Sequence, residues 1–308
     1  MKEVPLLLDG RASTDVFGSM VYIVLMCGPP GTGKSMLAQR LPGILPRLCP
    51  AQTLEVAVLS SATGREQPPT DVPPFRAPHH STSVPALIGG GMHPRPGEIS
   101  LAHRGVLFLD ELPQFDRRVL ESLREPLETG SVSIARASRS LIFPAAFQLV
   151  AAMNPCPCGW QGHGSIACTC EAWRVDKYLA RLSGPLLDRV DLQIALPAAG
   201  FEWRGAPPGE ASQPVRARVL ACRQRQLQRQ GCTNAMLDVR AIDLHCPLDT
   251  GSRALIAGGM QRWGWSARVV HRVLRVARTV ADLAGSPQIE RGHLSEAMQY
   301  RQPWTARP

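Results

Sequence analysis

The sequence predicts an α/β fold: a three-layer sandwich around a parallel sheet, followed by a C-terminal α-helical lid domain. Three observations carry this. Apolar runs of strand length at 21–26 (VYIVLM), 106–109 (VLFL) and 147–153 (FQLVAAM) alternate with stretches of helical periodicity, the pattern of parallel sheets covered on both faces. A glycine-rich loop separates the first run from the helix after it. Beyond 197–214 (PAAGFEWRGAPPGEASQP), a linker by composition, the chain reads as helical throughout. Apolar residues make up 44% of the 308, enough for one large domain, expected at 1–205, and a smaller one at 206–308.

The first strand runs into MCGPPGTGKSMLAQRLPG. This fits G-x-x-x-x-G-K-[ST] without a gap through Gly28, Pro29, Pro30, Gly31, Thr32, Gly33, Lys34 and Ser35. Glycines there let successive backbone N–H groups point into one concavity at a helix N-terminus, where the phosphates of a nucleotide such as ATP are held. Lys34 would reach the β and γ phosphates, and Ser35 would hold Mg²⁺. Met36, Leu37, Leu41 and Ile44 then repeat at helical spacing, which supplies the strand–loop–helix context; a plain Gly/Pro turn is the alternative.

Residues 62–100 are rich in Gly, Pro, Ser and His and read as an extended insertion with little regular structure. The strand at 106–109 then delivers Asp110 and Glu111 at its C-terminal end, the edge at which open parallel sheets bind ligands. Asp110 would serve Mg²⁺ and Glu111 would orient the attacking water; acids that merely cap a helix beginning near 113 are the alternative. A helix follows at about 117–127. Next comes a hairpin of SVSIA (131–135), a basic tip RASRS (136–140) and LIF (141–143). The strand at 147–153 ends in Asn154, which could steady the same water or serve only as a turn residue before Pro155. The clearest helix of the C-terminal region is 266–284. There Val269, Val273, Val276, Val280 and Leu283 form an apolar stripe opposite Arg268, Arg272, Arg275 and Arg278.

Nine cysteines occur, and Cys156, Cys158, Cys168 and Cys170 cluster within fifteen residues with Gly159, Gly162 and Gly164 between them. Four thiolates so placed can enclose one Zn²⁺ tetrahedrally, with His163 as a spare ligand; unliganded thiols and redox pairing stay open. Lys and Arg number 34 against 25 Asp and Glu, a net charge of +9 that favours a polyanionic partner without naming one. No apolar run of about 18 residues exists, and residues 1–20 lack the apolar core and cleavage site of a signal peptide, so a cytoplasmic protein is expected.

These stretches together resemble AAA+ ATPases of the magnesium-chelatase-like group, and within it the ComM (YifB) branch. The resemblance runs through GPPGTGKSMLAQRLPGILP, PFRAPHHSTS, HPRPGEISLAHRGVLFLDELPQF, LREPLETGSVSIARA, FPAAFQLVAAMNPCPCG, RLSGPLLDRVDL, SARVVHRVLRVARTVADLAG and HLSEAMQYR, most of residues 21–302. It implies a P-loop AAA+ core that assembles into a hexameric ring and hydrolyses ATP between subunits. It assigns Arg189, in LLDRVDL, as the arginine finger offered to a neighbouring subunit, and Arg268, in SARVV, as the sensor-2 arginine of the lid. Without the resemblance, either reads as a surface salt-bridge residue. The group's corresponding hairpin lines the central pore, so Arg136 and Arg139 at the tip would track a DNA backbone, unless the tip is a solvated turn. Arg76, His79 and His80 lie in the insertion that resembles the group's second pore-facing element. Arg216, Arg218, Arg223, Arg225 and Arg229 read as an exposed helix face.

The function implied is ATP-driven branch migration of DNA, a helicase-like activity in natural transformation. The alternatives are the ATPase subunit of a metal chelatase and a truncated relic that binds ATP with little turnover. Relatives carry an N-terminal Lon-protease-like domain that residues 1–308 do not contain. DVFG (15–18) also runs at once into SMVYIVLMCGPP, where the family has an amphipathic helix that helps close the adenine pocket. Phosphate binding is therefore expected to survive better than nucleotide affinity as a whole.

Overall fold

A computed structural model describes residues 23–64, 68–91, 94–136, 139–197 and 209–302. The DVFG junction and the 198–208 part of the linker lie outside the described residues, as do the side chains of 135–139 at the hairpin tip.

Nine strands occur among the described residues: β1 (Val24–Cys27), β2 (Phe75–Arg76), β3 (Gly89–Gly90), β4 (Arg95–Pro96), β5 (Val106–Leu109), β6 (Ser131–Arg136), β7 (Arg139–Pro144), β8 (Gln148–Met153) and β9 (Leu192–Ala195). Five of them form one parallel sheet in the order β2-β5-β8-β1-β9. Every residue of β1, β5 and β8 is buried, because helices cover both faces and leave no side for polar alternation. Successive side chains on a strand point to opposite faces, and the core divides accordingly. Val24, Met26, Phe108, Val150 and Leu192 meet Ala38 and Leu41 of the Lys34–Ile44 helix and, beyond it, the C-terminal helices. Leu25, Leu107, Leu109, Leu149 and Ala151 meet Leu87, Leu112, Phe115, Val119 and Leu120 on the other side. The expected three layers are present.

The expected helix at 117–127 is two six-residue helices, Arg117–Ser122 and Arg124–Thr129, joined at Leu123. Pro126 has no N–H to return to the residue 122 carbonyl, so the helical ladder is broken there. The insertion at 62–100 is more regular than expected. It contains β2, the β3–β4 pair and short helices Val84–Ile88 and Glu98–Leu101. The hairpin is present as β6–β7, with Arg136 opposite Arg139.

After the linker come helices Ser212–Gln230, Val239–His245, Thr250–Trp263, Ala267–Ala284 and Arg291–Gln299. Ser266 caps the fourth, its Oγ accepting from Val269 N–H. Several of the arginines expected on solvated faces are paired within the fold instead, although Arg225 and Arg268 remain exposed. Arg278 is 1% exposed, and with Arg229 it binds the equally buried Asp282, which also accepts from Asn234. Arg225 donates to the Asp282 carbonyl and Arg218 pairs with Glu210. Arg272 reaches Asp191 at 2.5 Å, and the other carboxylate oxygen of Asp191 accepts from Ile23 N–H at 2.9 Å. One carboxylate thus ties the start of β1, the approach to β9 and the lid helix together.

Candidate active site

The glycine-rich loop, a candidate phosphate loop, leaves β1 and enters the Lys34–Ile44 helix through Gly33, which caps it at φ 80, in the left-handed region where glycine is favoured. Gly28 serves a different need. A Cβ there would stand 2.5 Å from the Leu196 carbonyl oxygen, so the loop approaches the end of β9 closer than any side chain permits.

Lys34 folds back over the loop. Its Nζ donates to the carbonyls of Gly28 (2.7 Å) and Pro29 (2.8 Å) and to Asn154 Oδ1 (3.2 Å). Burial holds its ammonium pKa below the ordinary value, with the nearby Cys27 thiol and Asp110 carboxylate pulling the other way. Ser35 Oγ donates to Asp110 Oδ2 at 2.7 Å. Four segments therefore converge: the loop, the start of the helix, the end of β5 and the end of β8. Neither acid caps the helix at Leu112–Gln114; Asp110 Oδ1 accepts instead from Glu111 N–H at 2.9 Å. Glu111 has φ 53, an uncommon backbone state for a non-glycine residue, and its side chain is 57% exposed beside His80, whose Nδ1 lies 3.6 Å from Glu111 Oε2. Beneath Asn154, burial pushes the Tyr178 phenol up to about 12, and the phenol oxygen lies against the Asn154 backbone N–H.

Arg189 is 5% exposed. It donates to the Pro185 carbonyl and to Glu128 Oε1 of its own chain. Arg268, 61% exposed, stands 4.0 Å from the same Glu128 oxygen. Among the described residues, both arginines thus meet at Glu128 rather than at the phosphate loop. Arg76 makes a two-point pair with Glu98, at 2.6 and 2.7 Å.

Cys156, Cys158, Cys168 and Cys170 do come together, all four sulfurs lying within 4.8 Å of one another. The Trp160 backbone N–H lowers the Cys158 thiol to about 6. His163 stands apart from this group, its Nδ1 accepting from the N–H groups of Ser165 and Ile166.

The family models described as magnesium chelatase, subunit ChlI, and as its C-terminal part match residues 13–202 and 209–301. The chain belongs to the magnesium-chelatase-like AAA+ family. It is 47% identical to the Escherichia coli protein YifB over 95% of the chain and 58% of the relative. It is 47% identical to the Haemophilus influenzae competence protein ComM over 90% of the chain and 55% of the relative. Over 43% of the chain and 45% of the relative, it is 30% identical to the magnesium-chelatase 38 kDa subunit of Cereibacter sphaeroides. The chain thus sits in the ComM (YifB) branch and spans under two thirds of the length of these two branch relatives. Members of the family are ATPases that use ATP with Mg²⁺ and typically oligomerise. Among the described residues no helix is long and apolar enough to cross a membrane.

Two site neighbours escaped the sequence reading. Glu128 lies in an ordinary helical stretch, and no spacing marks it as the partner of residues 61 and 140 positions away. In the sequence His80 is legible only as part of the insertion; its approach to Glu111 is a product of the sheet order, which seats β2 beside β5.

Proposed function

We propose that residues 1–205 bind and hydrolyse Mg-ATP at the interfaces of a ring, hexameric by resemblance, and that 206–308 form the lid. The turnover would drive remodelling of DNA, as in branch migration. The observation that carries the ATPase reading is the convergence of Ser35 on Asp110 at 2.7 Å and of Lys34 on Asn154 at 3.2 Å, two contacts made at the C-terminal ends of β5 and β8.

In this reading the N–H groups of residues 31–35 wrap the phosphates, and Lys34 exchanges its bonds to loop carbonyls for phosphate oxygens. The Ser35 hydroxyl and Asp110 carboxylate are hard oxygen donors of the kind Mg²⁺ takes; bound there, the ion would offset charge on the β and γ phosphates. Glu111 accepts a proton from the attacking water and Asn154 holds that water against the γ-phosphate. Arg189 serves the neighbouring site once assembly draws it from Glu128, and Arg268 reaches the nucleotide from the lid. DNA as the polyanion is supported by the net charge of +9, by Arg136 and Arg139 at the hairpin tip, and by the competence protein among the relatives. A cytoplasmic setting agrees with all of these. The four clustered cysteines supply a donor set for a structural Zn²⁺ rather than for a reactant.

The test is ATP hydrolysis by the wild type and Lys34→Ala, with and without branched DNA. Stimulation by DNA that Lys34→Ala abolishes is the expected result. Stimulation only by a porphyrin-loaded protein would favour the chelatase alternative, and binding without turnover under any condition would mean a relic.

A further inference from the structure

We infer that Cys156, Cys158, Cys168 and Cys170 bind one Zn²⁺ and that this ion braces the phosphate loop, making nucleotide affinity dependent on zinc. Residues 154–171 join β8 to the Ala172–Leu179 helix without a helix or strand between. A segment of that length needs something to order it. The cysteines provide it. Cys156 is fully buried and the other three are half-buried. The sulfurs of Cys156 and Cys158 are 3.4 Å apart, those of Cys158 and Cys168 3.5 Å, and those of Cys156 and Cys168 3.6 Å. A tetrahedron of Zn–S bonds of about 2.3 Å has edges of about 3.8 Å, close to these separations. Disulfides would bring a pair to about 2.05 Å. An iron–sulfur cluster would hold cysteine sulfurs outside a core of several atoms, farther apart than the 4.8 Å that bounds this group.

The backbone is arranged for thiolates. The N–H groups of Cys158, Gln161 and Cys170 each lie 3.4 Å from a cluster sulfur, of Cys170, Cys156 and Cys168 respectively. Such bonds offset the surplus negative charge of four thiolates around a divalent ion.

The cluster begins two residues after Asn154, the partner of Lys34. Its first turn presses on the phosphate loop. Gly159 has φ +87, and a Cβ there would stand 2.7 Å from Pro30 Cδ and 3.8 Å from Asn154 Cγ. Gly28 N–H also donates to the Met153 carbonyl at 3.2 Å. The knot tied by the cysteines therefore sets the wall against which Pro30 and Asn154 rest. Only the nucleotide readout of this inference relies on residues 28–35 being an ATP site.

The experiment uses the full chain purified under reducing conditions without added metal. Zinc content is measured, then the ion is stripped with a thiol reagent and chelator and restored. One zinc per chain is expected, lost in Cys168→Ser and Cys170→Ser and retained in Cys49→Ser, which alters an exposed cysteine outside the cluster. Stripping should weaken binding of a fluorescent ATP analogue about 10-fold, reversibly. It should also speed hydrogen exchange in residues 28–35. Exchange reads the brace whether or not ATP binds, so zinc-loaded protein that exchanges slowly yet ignores ATP would sink the ATPase reading and leave the brace standing. A chain that neither carries nor takes up zinc overturns the site. Zinc bound with exchange at 28–35 unchanged on stripping overturns the brace. Reversible stripping of the wild type decides the matter even where the serine variants fail to fold.

Discussion

His103 is held neutral by its surroundings. It is 3% exposed; Nδ1 accepts from Ala146 N–H at 3.0 Å, which leaves the ring proton on Nε2 to be donated to Glu55 at 3.1 Å. Burial lowers its pKa below the ordinary value; the Glu55 carboxylate opposes the shift and the Arg104 guanidinium adds to it. A histidine whose folded pKa is depressed contributes stability above its unfolded pKa of about 6.5, and that stability is lost as pH falls toward the folded value, because the unfolded chain binds the proton first. Protonation would also cost Ala146 N–H its acceptor. The melting temperature should therefore drop more between about pH 7.5 and 5.5 in the wild type than in His103→Gln, which keeps an acceptor and does not titrate. Equal drops would show that His103 is not the sensitive group.

The elements differ in how far the chain announces them. β5 and β8 are buried on both faces, so their residues are nearly all apolar, Gln148 excepted, and read directly as strands. Gly28 to Ser35 is equally legible as a motif, because cradling a phosphate with backbone N–H groups, the role proposed for it, is a local requirement written into adjacent residues. The arginines of Ser212–Gln230 and Ala267–Ala284 mislead, since arginine at helical spacing ordinarily marks a solvated face. Two of them find counter-charges far off in sequence: Arg229 meets Asp282 across 53 positions and Arg272 meets Asp191 across 81, whereas Arg278 meets Asp282 one turn on in its own helix. Asp282 is the residue on which that polar core turns, 2% exposed and accepting from Arg229, Asn234 and Arg278. Removing one partner of a buried charge network leaves the rest uncompensated, so Asp282→Ala should cost about 3–5 kcal/mol of stability in a denaturant titration. A loss below 1 kcal/mol, as for an exposed pair, would mean that solvent reaches the arginines.

Across the whole molecule, the arrangement of charges around Glu128 bears on assembly. In the single chain Arg189 is buried against Glu128, and Arg268 approaches the same carboxylate. An arginine that serves a neighbour's γ-phosphate must give up such a partner on assembly, whereas one that only secures the Arg124–Thr129 helix need not. Mixing separates the two. If the interface reading holds, Lys34→Ala would lack the phosphate contact of its own site but keep a finger to lend, and Arg189→Ala would bind nucleotide but lend none. Arg189→Ala alone should hydrolyse ATP about 10³-fold more slowly than wild type, the low end of the contribution of such a guanidinium to turnover, and Lys34→Ala alone should also be strongly impaired. An equimolar mixture brings an intact site beside an intact finger at a fraction of its interfaces, and turnover should rise well above either variant, with the gain growing with protein concentration. Arg189→Ala should still bind an ATP analogue as wild type does. If the mixture stays at the level of its components while Arg189→Ala melts early, Arg189 acts within its own chain and the interface reading fails.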